Sequence, residues 1–129
     1  MAILFDGVDD KATYTDITGI DGAANFSAAI WAYRPAAVAI QPPIFSKSDT
    51  TWLNAFCLSS QHVTDGSRMS FYFDGTAAFA YGSMPASTIV NGEWHHYAFA
   101  YDGGGATDAD KLKGYWDGVA QTITFTGTI

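Results

Sequence analysis

A single glutamate, Glu93, stands among twelve aspartates in this chain, and that imbalance limits the chemistry it can do. Retaining hydrolysis of a glycosidic bond needs two carboxyl groups about 5–5.5 Å apart, which a strand supplies most simply from alternate positions on one face. Two residues either side of Glu93 stand Asn91 and His95, and the only aspartates at that spacing are Asp108 and Asp110, in a glycine-flanked loop. The paired-carboxylate pattern is missing, so no enzyme activity is expected. His95 and His96 are neighbours; on a strand they point to opposite faces and cannot chelate one ion together, so one partly buried and one exposed histidine is the expectation. Gly103-Gly104-Gly105 lacks the Lys-Ser/Thr that completes a phosphate loop. Cys57, within Ala55-Phe56-Cys57-Leu58, is alone, which excludes an intrachain disulfide and reads as a buried, inert thiol.

Two binding chemistries remain. Calcium takes several oxygen ligands, typically carboxylates and backbone carbonyls from loops. Asp9-Asp10, Asp74, Asp102, Asp108 and Asp110 are the candidates, with Asp74 and Asp102 favoured. No EF-hand pattern is present, so such a site would be assembled from separate loops, and turn formation accounts for most of these aspartates without metal. A sugar needs an aromatic plate for its CH face and planar polar groups for its hydroxyls. Trp52, in the polar stretch Ser48-Asp49-Thr50-Thr51-Trp52-Leu53-Asn54, is the leading candidate; Asn54, Tyr81, Tyr115 and Trp116 are secondary. Trp31 and Trp94 fall at positions that read as core.

The elements that must hold these residues are strands. Asp-Gly occurs six times, at Asp6-Gly7, Asp21-Gly22, Asp65-Gly66, Asp74-Gly75, Asp102-Gly103 and Asp117-Gly118, and Asn91-Gly92 adds a seventh turn signal. Between them the pattern predicts strands near Ala2–Phe5, Ala12–Thr15, Phe26–Tyr33, Ile44–Lys47, Ala55–Ser60, Met69–Phe73, Ala77–Tyr81, Trp94–Tyr101, Leu112–Trp116 and Thr122–Thr126. Alternation places Phe26, Ala28, Ile30 and Ala32 on one face with Trp31 and Tyr33 on the other, and His95, Tyr97, Phe99 and Tyr101 opposite Trp94, His96, Ala98 and Ala100. Residues 103–110 read as a long exposed hairpin loop, and no segment has a capped helical stripe. Short strands at this spacing predict a two-sheet antiparallel sandwich, one domain over residues 1–129.

A net charge of −7 argues against nucleic acid and against electrostatic docking on anionic membranes. No apolar run approaches the ~20 residues of a membrane span. The first residues, Met1-Ala2-Ile3-Leu4-Phe5-Asp6, lack the basic and long apolar regions of a signal peptide. The expectation is a cleaved signal, or export within a larger particle such as a virion.

Five segments carry a resemblance when taken in order. They are Leu4-Phe5-Asp6-Gly7-Val8-Asp9-Asp10, Phe26-Ser27-Ala28-Ala29-Ile30-Trp31-Ala32-Tyr33, Ile44-Phe45-Ser46-Lys47, the run Gly92-Glu93-Trp94-His95-His96-Tyr97-Ala98-Phe99-Ala100-Tyr101-Asp102-Gly103, and Leu112-Lys113-Gly114-Tyr115-Trp116-Asp117-Gly118. The chain resembles the laminin-G-like domains of the concanavalin A-like lectin/glucanase superfamily. The resemblance implies an all-β jelly-roll sandwich of two antiparallel sheets, a binding function directed at glycans and often aided by calcium, and a place in secreted, cell-surface or phage virion proteins. Such domains usually continue past the segment resembling Thr126-Gly127-Thr128-Ile129 with strands that pair with the first ones, so an incomplete sandwich and association with itself or another protein are expected. The reading is a carbohydrate-binding module outside the cytoplasm; its alternative is a structural or assembly protein of a virion or cell surface that uses the fold for protein contact.

Overall fold

The computed structural model describes residues 11–13, 18–20, 23–35, 43–47, 55–59, 68–74 and 79–129. Nine strands follow in order: β1 (Asn25–Tyr33), β2 (Pro43–Lys47), β3 (Ala55–Ser59), β4 (Ser70–Asp74), β5 (Phe79–Ser83), β6 (Trp94–Asp102), β7 (Leu112–Trp116), β8 (Val119–Gln121) and β9 (Thr124–Thr126). They form two antiparallel sheets, one ordered β1-β6-β7-β8 and the other β2-β3-β4-β5-β9. The expected two-sheet sandwich is the observed one. The strand expected at Ala2–Phe5 and the end of that at Ala12–Thr15 lie outside the described residues, while Ala12 and Thr13 are not in a strand.

The inner faces close on Phe56, Leu58, Met69, Phe71, Met84, Tyr97, Phe99 and Leu112. Phe26 and Phe99 meet edge-on at 5.7 Å between ring centroids, and Phe56 and Phe99 lie 4.8 Å apart, spacings at which aromatic pairs add to simple burial. The buried Tyr97 hydroxyl donates to the Thr88 carbonyl oxygen at 2.8 Å, which keeps a polar atom satisfied inside the core. Gly82 and Gly114 let the layers approach: a Cβ on Gly82 would lie 2.7 Å from Ile123 Cγ2 and 2.9 Å from Leu112 Cδ2.

Two expectations need correction. The strand expected over Thr122–Thr126 is the shorter β9, in the five-stranded sheet, and an unexpected strand, β8, precedes it in the four-stranded sheet. The cause is the turn before β8. Asp117 and Gly118 both have positive φ, 49° and 79°, the geometry of a two-residue hairpin, so Val119 pairs at once with Trp116. Residues 103–110 are not wholly loop, because a four-residue helix, α1 (Asp108–Lys111), begins there. Thr107 caps it, its Oγ1 accepting from the Asp110 backbone N–H at 3.2 Å.

Candidate functional site

Strands β1 and β6 pair over nine residues in a register that sets Trp31 beside His96 and Tyr33 beside Trp94. Alternation sends Phe26, Ala28, Ile30 and Ala32 of β1 against the core. In β6 it turns His95, Tyr97 and Phe99 inward. The intervening residues must then face outward. Trp31 is 62% exposed, Trp94 51% and Tyr33 43%, and the rings touch in two cross-strand pairs, Trp31–His96 at 5.3 Å and Tyr33–Trp94 at 5.6 Å. The assignment of Trp31 and Trp94 to the core is therefore wrong: both lie on the outer face of the four-stranded sheet. Large apolar rings gathered on an open sheet face mark a contact surface more than a folding requirement.

Trp31, Trp94, His95, His96 and Asp117 line a shallow depression of about 470 Å³. Asp117 is fixed there by its place in the hairpin. Its backbone N–H donates to the His96 carbonyl oxygen at 2.8 Å, and its Oδ1 accepts from the His96 N–H at 2.8 Å. Its Oδ2 lies 2.7 Å from His95 Nδ1. The His96 N–H first, and His95 second, hold the Asp117 carboxyl below the usual carboxylate range. The other ring nitrogen of His95 is Nε2. That nitrogen is buried without a hydrogen-bond partner, and the Glu93 carboxylate stands 3.6 Å away. The Trp116 ring lies 5.2 Å from that of His95, and its Nε1 is also buried and unpartnered. The expected division of the two histidines holds in part: His95 is buried, whereas His96 is half-buried against Trp31.

The residues singled out from the sequence are not brought together. Trp52 and Asn54 lie outside the described residues. Tyr81 pairs with Tyr72 in the five-stranded sheet, their rings 5.5 Å apart. They alternate with the core residue Phe71, so they face away from the core on the opposite side of the sandwich from Trp31. Tyr115 lies beside Ala98, two residues along β6 from His96, and shares the outer face of the patch. Trp116 turns inward against the core. Among the aspartates, the side chain of Asp74 lies outside the described residues. Asp102 Oδ1 accepts from Gly104 N–H at 2.9 Å, Asp108 Oδ1 from Ile129 N–H at 3.2 Å, and Asp110 Oδ2 from the Thr107 hydroxyl at 2.7 Å. Among the described residues, no three His, Cys, Asp or Glu side chains gather where they could hold a metal ion. Cys57 is half-buried, and burial pushes its thiol pKa up to about 11.

Reading the sequence alone missed Trp31, Tyr33, Trp94, His96 and Asp117 as a group. A signal was available in the alternation Trp31-Ala32-Tyr33 and Trp94-His95-His96, which loads the second face of two long strands with rings.

No curated protein and no solved structure matches the chain. The model of a laminin G family does, across residues 6–128. With that match over nearly the whole chain, and two antiparallel sheets closed on one core, the chain belongs to this laminin G family of the concanavalin A-like lectin/glucanases superfamily.

Proposed function

We propose that the chain is a non-catalytic carbohydrate-binding module, acting at a surface outside the cytoplasm, whose ligand stacks on Trp31, Tyr33 and Trp94. The observation that carries this reading is the exposure of both indoles, 62% and 51%, on one sheet face where folding does not need them. Alternate residues of a strand stand ~7 Å apart, comparable to one pyranose ring, so the two cross-strand ring pairs offer neighbouring stacking positions. Asp117, held by three hydrogen-bonding contacts to β6, presents a pre-set acceptor for sugar hydroxyls at the edge of the plate. Glu93 and Asp117 both stand beside His95, and in this reading neither acts as a catalytic acid. Nor does any contact in it pass through calcium.

The test is a glycan-array screen of the protein with calcium and with EDTA, repeated for Trp31→Ala and Trp94→Ala. Selective signal that survives EDTA and disappears in both variants supports the reading. Signal lost in EDTA would place a calcium site elsewhere in the chain, and silence from folded protein would refute sugar binding. A second reading, assembly with another copy or with other virion or surface proteins, draws on the same patch, because exposed Trp and Tyr are also what protein interfaces use. In that case the two variants would lose association instead of sugar affinity.

A further inference from the structure

We infer that the sugar this patch prefers carries a protonated amine, an inference that rests on the carbohydrate reading and sharpens it. Apart from His95 and His96, the one ionisable side chain that lines the depression among the described residues is a carboxylate. Asp117 lines the depression, and its carboxylate is kept ionised by the His96 N–H and by His95. Glu93, the residue before Trp94, turns by the same alternation away from the rings and toward His95 Nε2, 3.6 Å off, so it does not count at the plate. Among the described residues, no lysine or arginine lines the depression.

The nearest cations along the sheet point elsewhere. Lys113 shares the outer face but lies beside Ala100, four residues along β6 from His96, or ~13 Å at the rise of a strand. Its ammonium donates to the Ala109 carbonyl oxygen. Arg34 follows Tyr33, and by alternation its side chain leaves the opposite face. There its Nε donates to Asn91 Oδ1 at 2.8 Å, and its charge acts on Tyr97.

An ammonium group on a stacked sugar would therefore meet two favourable terms at once. The faces of Trp31 and Trp94 attract a cation through their quadrupoles, and the Asp117 carboxylate attracts it directly. Both act at an exposed surface, where each is modest, and together they give a preference of about fivefold to tenfold over the neutral sugar. A carboxylated or sulfated sugar meets the same two terms with the sign reversed. The ligand class is thus amino sugars with a free amine, ahead of N-acetylated ones, with acidic sugars last.

The experiment is titration calorimetry with three oligosaccharides of equal length, built from glucosamine, N-acetylglucosamine and a uronic acid, at pH ~7, above the ordinary histidine pKa of ~6.5. The amine form should bind about fivefold to tenfold tighter than the acetylated form, and the acidic form weakest. The preference should shrink at ~1 M salt, where the screening length is ~3 Å. Asp117→Asn, which keeps the size of the side chain, should lower the amine-to-acetyl ratio, whereas Glu93→Gln, outside the lining of the depression, should leave it unchanged. Equal binding of the amine and acetylated forms, a preference for the acid, or a ratio unmoved by Asp117→Asn overturns this inference alone. Silence towards all three overturns the carbohydrate reading and this inference with it.

Discussion

Replacing Trp31 with alanine should lower sugar affinity about thirtyfold and leave the domain folded. The size follows from the exposure of the ring. Trp31 is 62% exposed, and a tryptophan side chain offers roughly 250 Å², so about 150 Å² faces solvent. A sugar covering one face removes about half of that, ~75 Å², which at ~25 cal/mol per Å² is about 2 kcal/mol, or roughly thirtyfold in affinity. The buried remainder of ~95 Å² sets a ceiling of about 2 kcal/mol on the stability lost. The loss falls to about 1 kcal/mol because alanine keeps the Cβ and an unfolded chain already hides part of that surface. Trp94, at 51% exposed, should lose slightly less affinity and slightly more stability. The assay is calorimetric titration with a sugar that scores on the array, alongside urea unfolding of the same preparation. Trp52→Ala, at the position the sequence favours, is the comparison. Unchanged affinity in folded Trp31→Ala and Trp94→Ala, with affinity lost in Trp52→Ala, would refute the assignment of the patch.

Other outcomes follow from the geometry of single residues. Asp117→Ala should cost about 1 kcal/mol at neutral pH, given two hydrogen bonds to an exposed carboxylate. Because the folded pKa of Asp117 is lowered, this contribution is present above the unfolded pKa and lost as pH falls through the folded one, so the difference between variant and wild type in urea titrations should shrink in acid to the strain of alanine at the positive φ of that turn. Gly82→Ala should destabilise by about 1–3 kcal/mol, since its Cβ would overlap Ile123, Leu112 and the Phe125 ring; an unchanged urea midpoint would contradict that packing. Phe71→Ala, at a fully buried position, should cost about 3–5 kcal/mol in the same assay. Cys57, with its pKa near 11, should be ~0.1% thiolate at pH 8 against about a quarter for an ordinary thiol. Disulfide-exchange labelling of the folded protein should therefore run at least a hundredfold slower than in denaturant.

Much of the fold was legible because strand alternation and turn chemistry are local properties. The faces of Phe26–Tyr33 and Trp94–Tyr101 came out as expected, since side chains on a strand alternate whatever surrounds them. The Asp117-Gly118 turn signal was sound, yet the strand directly after it, β8, was missed, because three residues are too few to show an alternation. The four-residue helix at Asp108–Lys111 was invisible, being too short to show a stripe and held by the Thr107 cap.

The sequence by itself determined that the protein is an all-β sandwich of two antiparallel sheets. Only the tertiary structure decided which of two apolar faces is covered. Alternation says that Trp31 and Tyr33 oppose Phe26 and Ile30, but it is silent on whether a second layer lies over either side. That depends on the sheet order β1-β6-β7-β8 and on which face the five-stranded sheet packs against. The same order brings Asp117, twenty-one residues from His96 in sequence, within hydrogen-bonding distance of it. Long-range pairing of that kind is set by the whole chain closing on one core, and no short stretch of residues records it.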